Sequence, residues 1–138
     1  MDSDMARILI IEDDPLISRM YQRVFEFEGY EVDMARDGEE GLGIMKKKKP
    51  TLIMLDVMMP KMSGVDVLKE IKAIKDFAGI PVITLTNLSG MKDAEKMIEL
   101  GAVKYIVKSN HKPKQIVAEV KEILKATTRN EIPDAAEH

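Results

Sequence analysis

Short runs of consecutive apolar residues alternate along this chain with longer stretches in which apolar positions recur every three or four residues. The runs are Arg7-Ile8-Leu9-Ile10-Ile11, Leu52-Ile53-Met54-Leu55, Val82-Ile83-Thr84-Leu85 and Tyr105-Ile106-Val107, with a weaker one over Glu31 to Ala35. Unbroken apolar runs of this length, separated by helical periodicity, predict parallel strands covered on both faces.

The intervening stretches predict five helices. The first opens at Pro15 with Asp14 as its cap, turns Ile17, Met20, Tyr21, Val24 and Phe27 inward, and stops at Gly29. Asp37-Gly38-Glu39-Glu40 reads as a capping box for a second helix through Lys48. Ser63-Gly64-Val65-Asp66 caps a third, which carries Val67, Leu68, Ile71 and Ile74. Ser89 or Asp93 begins a fourth that buries Ala94, Met97 and Ile98 and ends at Gly101. Pro113 opens the fifth, with Ile116, Val117, Val120, Ile123 and Leu124 facing the core. From about Thr127 the pattern fades, so residues 127–138 are expected to form a flexible tail behind one α/β domain over residues 6–126.

Every strong strand ends on a polar residue suited to phosphoryl chemistry. The first runs into Glu12-Asp13-Asp14, the third into Asp56, the fourth into Thr86 and the fifth into Lys108. Right-handed crossovers place the first and third strands side by side, and open α/β sheets bind ligands at the carboxyl ends of their strands. Glu12, Asp13 and Asp56 then face one another, an arrangement that is unfavourable unless a cation relieves it. Oxygen ligands with room for water suit Mg²⁺ better than zinc. Helix capping accounts for Asp13 or Asp14 singly but not for the whole set. With the cation present, Asp56 is a competent nucleophile toward phosphorus, Lys108 a point-charge partner for a phosphoryl oxygen, and Thr86 a hydroxyl donor to another.

Composition narrows the classes. The 138 residues are 45% hydrophobic and 33% charged, the balance of a globular domain. The net charge of −3 gives no reason to expect nucleic acid or an acidic membrane as the main partner. There is no cysteine, which excludes disulfides, thiolate catalysis and Cys-ligated metals. No apolar stretch reaches the ~20 residues of a membrane span, and Met1-Asp2-Ser3-Asp4 is acidic where a signal peptide is basic, so a cytoplasmic location is expected. Lys46 to Lys49 sit at a helix carboxyl end, where the dipole favours cations. His111 and His138 have no second ligand nearby in sequence.

Over Ala6 to Lys125 the chain resembles a response-regulator receiver domain. The matching features are Glu12-Asp13, Asp56 within Leu55-Asp56-Val57-Met58-Met59-Pro60, Gly64, Thr86 in Leu85-Thr86-Asn87, and Lys108 in Val107-Lys108. The resemblance implies a doubly wound, flavodoxin-like α/β fold: a five-stranded parallel sheet of order 2-1-3-4-5 with five helices. It implies that Asp56 is the phosphoacceptor, served by a sensor histidine kinase or phosphotransfer protein. Asp13 and Asp56 would bind Mg²⁺ directly, Glu12 through water, and the backbone carbonyl of Met58 would complete the protein ligands. Thr86 and Tyr105 would form the switch pair, changing the face made by the fourth helix, fifth strand and fifth helix.

Lys108 is followed by Ser109 where the family usually has proline in a cis peptide. A cis bond before Ser109 would cost ~2.5–4 kcal/mol. Met58 and Leu88, which by resemblance flank the route of attacking water, are apolar, so slow self-dephosphorylation is expected.

The resulting expectation is a stand-alone receiver, or alternatively a receiver cut from a longer chain, and in either case a switch rather than an enzyme. Its partners would be a kinase and a downstream target protein, with neither nucleic acid nor membrane, and a phosphorylation-dependent homodimer is a further option. A rival reading is a constitutive interaction module of the same fold. Another is a metal-dependent phosphatase with an aspartate nucleophile, whose usual second acid falls here on Met58.

Overall fold

The computed structural model describes residues 6–128. Five parallel strands form one sheet in the order β2-β1-β3-β4-β5. They are β1 (Arg7–Ile11), β2 (Glu31–Ala35), β3 (Leu52–Asp56), β4 (Val82–Thr86) and β5 (Lys104–Val107). Between and after them run α1 (Pro15–Phe27), α2 (Gly38–Lys47), α3 (Gly64–Ala73), α4 (Met91–Glu99) and α5 (Pro113–Thr128). This is the doubly wound architecture expected from the alternation of apolar runs and helical periodicity.

Alternation along each central strand divides its side chains between two cores. Leu9, Ile11, Ile53, Leu55 and Val82 pack with residues of α2, α3 and α4, whereas Ile8, Ile10, Leu52, Met54, Ile83 and Leu85 pack with residues of α1 and α5. β3 and β4 are buried at every position. β2, at the sheet edge, is half-exposed, in keeping with its mixed sequence.

Local chemistry sets the helix ends. The Asp14 side chain accepts from Leu16 N, that of Asp37 from Glu40 N and that of Ser63 from Asp66 N, so three starts carry side-chain caps. Glu40 reaches back to the backbone N–H of Arg36, at 2.7 Å, one residue beyond the position a capping box specifies. Gly29 and Gly101 take positive φ after α1 and α4, the left-handed conformation that ends a helix.

Three expectations need correction. The buried face of α1 is Ser18, Tyr21 and Phe25, while Met20 is partly exposed and Phe27 is 88% exposed. Phe25 meets Tyr30 edge-on, and Phe27, two residues on, points about 200° around the helix from it. Neither Ser89 nor Asp93 caps α4. A 3₁₀ turn over Leu88–Gly90 leads directly into Met91, with Gly90 at the cap position and no side-chain hydrogen bond. At the other end α5 runs on through Thr128, and Thr127 Oγ1 bonds the carbonyl of Ile123 at 2.8 Å, so the tail does not begin at Thr127. The remainder of that expected tail, including His138, lies outside the described residues.

One glycine fixes the loop beyond β3. A Cβ on Gly64 would lie 2.4 Å from the carbonyl oxygen of Asp56 and 2.9 Å from Val57 Cα, both backbone atoms that cannot swing aside. Gly64 N also donates to the Val57 carbonyl at 2.8 Å. The start of α3 is thereby seated on the strand end that carries Asp56. Gly64→Ala is expected to lower stability by roughly 1–3 kcal/mol, read as a lower urea midpoint with an unchanged m-value.

Candidate functional site

Parallel strands that finish together deliver their terminal side chains to one edge. Glu12 follows β1, Asp56 ends β3, Thr86 ends β4 and Lys108 follows β5. Because β1 lies beside β3, the carboxylates of Glu12, Asp13 and Asp56 come within 4.8 Å of one another. They open on a cleft of about 260 Å³ lined also by Asp14, Ile17, Val57, Met58, Asn87 and Lys108.

Lys108 crosses from the far side of the sheet and ties the acids together. Its Nζ lies 2.5 Å from Glu12 Oε1 and 3.2 Å from Asp56 Oδ1. Glu12 is buried, and its second oxygen accepts from the backbone N–H of Asp14 at 3.1 Å, which fixes the carboxylate at the base of the cleft. Asp13, by contrast, is exposed.

Asp56 is only 5% exposed. Burial raises its pKa, the neighbouring Glu12 charge raises it further, and Lys108 pulls it back, leaving it pushed up to about 7. Burial lowers the Lys108 ammonium, but its hydrogen bond to Glu12 and the charges of Asp56 and Glu12 outweigh that effect, so its pKa lies above the ordinary lysine value. The cluster therefore holds negative charge in excess of its one cation. An all-oxygen set of this kind, open on one side to a cleft, fits a small hard cation that keeps some of its water.

Thr86 is at the expected edge yet does not line the cleft. Its hydroxyl donates to the Asn87 carbonyl at 2.7 Å and is close-packed against Gly90, where an added Cβ would lie 2.6 Å from Oγ1. Tyr105 is 37% exposed on β5. The Met58 side chain is 58% exposed and forms part of the rim. No described peptide bond is cis, so Lys108–Ser109 is trans, and Lys108–Asn110 forms a 3₁₀ turn that His111 braces by donating from Nδ1 to the Val107 carbonyl at 3.1 Å. Sequence reasoning did not single out Asn87 as a cleft residue. Its position directly after a strand-terminal residue was the available signal.

Comparison with known proteins decides the family, since residues 8–121 match the response regulator receiver domain. The chain belongs to that family. The receiver is 39% identical over 133 residues to a probable transcriptional regulator, ycf27, of Porphyridium aerugineum, covering 94% of this chain and 54% of that protein. It is 39% identical over 134 residues to the DNA-binding dual master transcriptional regulator RpaA of Synechocystis sp., covering 97% of this chain and 54% of that one. Among solved structures, a CheY-like response regulator receiver domain protein of Methanospirillum hungatei JF-1 superposes with a TM-score of 0.83 at 29% identity, covering 91% of this chain and 98% of the other.

The chain spans about half the length of the curated relatives it matches. The expectation that nucleic acid is not a partner is overturned by those relatives, one of which is named as DNA-binding. A net charge of −3 describes the receiver stretch alone and carries no information about the other half of such proteins. Receiver domains are in general switches rather than enzymes, and they bind Mg²⁺ at an acidic pocket. Among the described residues no helix is long and apolar enough to cross a membrane.

An acid whose folded pKa is raised destabilises the fold progressively as pH climbs from its unfolded value toward its folded one. Asp56→Asn removes that penalty and leaves Lys108 paired with Glu12. In metal-free buffer at pH about 7–8 the variant is expected to be more stable than the parent by on the order of 1–3 kcal/mol. The gap should close near pH 4 and on adding Mg²⁺, as followed by thermal denaturation.

Proposed function

We propose that Asp56 accepts a phosphoryl group from a phosphohistidine on a sensor kinase or phosphotransfer protein, and that the acyl phosphate so formed switches the α4–β5–α5 face for target binding or onward transfer. The observation that carries this reading is the buried meeting of Asp56, Glu12 and Lys108 beside the exposed Asp13. In the transfer an Asp56 carboxylate oxygen forms the new P–O bond, the P–N bond to the donor imidazole breaks, and that imidazole departs with its proton. Asp13 and Asp56, with the Met58 backbone carbonyl, would hold Mg²⁺, and Glu12 would assist from beside them. When bound, the ion offsets the repulsion between carboxylate and phosphoryl oxygens.

The residues of the chain divide the remaining work. Lys108 leaves part of its contact with Glu12 to meet a phosphoryl oxygen. Thr86 exchanges the Asn87 carbonyl for another such oxygen, vacating space toward which Tyr105 turns. The differential contacts of such a two-state element are worth on the order of 1–3 kcal/mol. The receiver unit in this reading is residues 6–126 with the last turn of α5 running on to Thr128, acting in the cytoplasm. The DNA-binding name of its longer relative makes a transcriptional output the class of response to examine first in any longer protein that carries this receiver.

Incubation with acetyl phosphate and Mg²⁺ is expected to add one phosphoryl group by mass, and Asp56→Asn should abolish the addition. Lys108→Ala should slow it by roughly 10- to 100-fold. Unmodified parent protein, or modification that persists in Asp56→Asn, would remove the basis of the proposal.

Phosphoryl lifetime gives a separate check. Met58 and Leu88 are exposed and offer no group that can orient water. Self-dephosphorylation is expected to take minutes or longer, and Met58→Asn to shorten the lifetime of the acyl phosphate. Decay of the parent within seconds would show that the apolar rim does not protect it.

A further inference from the structure

The chain contains 11 methionines and no cysteine, so its sulfur chemistry is that of the thioether. Thioethers are oxidised according to their access to solvent, and access separates them sharply here. Met45, Met54 and Met97 are buried in the two cores, and Met59 and Met62 pack against one of them. Among the described methionines Met58 is the most open, at 58% exposure against 38% for Met20 and 37% for Met34. Met20 lies on α1 and Met34 on β2, and neither lines the acidic cleft, whereas Met58 does.

The thioether also has a defined neighbourhood. A Cβ on Gly90 would meet Met58 Sδ at 3.8 Å and Thr86 Oγ1 at 2.6 Å, so sulfur and hydroxyl flank the same small residue. Met58 follows Asp56 by two positions on the loop leaving β3, and both residues line the cleft. A thioether is a weak hydrogen-bond acceptor, so this part of the rim holds water poorly. A sulfoxide at the same place is polar and presents an oxygen that accepts strongly. The change converts a stretch of the cleft mouth from water-shedding to water-holding.

We propose that Met58 is an oxidation site through which hydroperoxides shorten the life of the acyl phosphate on Asp56. The sulfur lone pair attacks the outer peroxide oxygen, an S–O bond forms and the O–O bond breaks. The proton of the transferred oxygen passes to the departing one, which leaves as water or an alcohol. The thioether is oxidised to sulfoxide and the peroxide is reduced. The sulfoxide oxygen then accepts a hydrogen bond from a water at the cleft mouth and holds it towards phosphorus. In the hydrolysis the water oxygen bonds to phosphorus, the P–O bond to Asp56 breaks, and the water's proton goes to the released phosphate. A dithiol reductant reverses the modification by taking the sulfoxide oxygen away as water. The proposal rests on the acceptor role of Asp56.

The test treats the full chain with dilute hydrogen peroxide, removes the oxidant and maps oxygen addition by peptide mass. Met58 is expected to oxidise ahead of Met20 and Met34. Treated and untreated protein are then loaded with acetyl phosphate and Mg²⁺, desalted, and followed for loss of the phosphoryl group. Loss should be roughly 3- to 10-fold faster after oxidation, and methionine sulfoxide reductase with dithiothreitol should restore the original rate. Met58→Leu, compared with its own untreated sample, should show no response to peroxide. Untreated parent that takes up no phosphoryl group removes the acceptor reading and this proposal with it. With normal uptake by untreated parent, three results overturn this proposal alone: slower oxidation of Met58 than of Met20 or Met34, oxidised protein whose uptake is lost or whose decay is not accelerated, or a peroxide response that persists in Met58→Leu.

Discussion

The attraction between one buried ammonium and two carboxylates organises the carboxyl edge of this sheet. Lys108 reaches across from the end of β5 to Glu12 and Asp56, joining the residues just after β1 and β5 to the last residue of β3 in one cluster. Desolvating three charges is unfavourable, and a single cation cannot balance both acids. The raised pKa of Asp56 expresses that imbalance. A fold built for stability alone would place aliphatic side chains at these positions, as it does along the rest of β1 and β3, where every other residue except Arg7 and Asp56 is an unbroken aliphatic or methionine. The strain at this edge is the physical reason for reading it as a site.

Much of the architecture could be read directly from the chain. β1, β3 and β4 are continuous apolar runs with polar terminators, and parallel pairing leaves those terminators no other place to gather. Asp14, Asp37 and Ser63 cap the helices their sequence positions predict. The receiver motif needs no side-chain detail to be seen, because strand order alone brings its parts together.

What escaped the sequence depended on rotation or on close approach. Helical spacing from Ile17 fits a stripe through Phe27 nearly as well as one through Phe25, and only packing against Tyr30 distinguishes them. The start of α4 is set by Gly90 lying against the Thr86 hydroxyl, a contact without any capping residue to announce it. The side-chain rotation that points Thr86 at the Asn87 carbonyl is equally silent in the sequence. Nucleic acid as a partner class is silent in this stretch for a different reason. The charge balance belongs to the receiver stretch alone, whereas the relatives that bear on the question are about twice as long.

The division of apolar side chains into two clusters has a mechanical consequence. Ile53 and Leu55 face one core while Leu52 and Met54 face the other, so the sheet acts as a partition. Close-packed interiors transmit displacement through contact, and a rigid wall between them confines it to one compartment. A shift of α4 would press directly on α3 and β4 within its own compartment, so a change that also involves α5 has to travel round the β5 edge rather than through the sheet. The edge of the partition, rather than its centre, then decides whether both layers respond together.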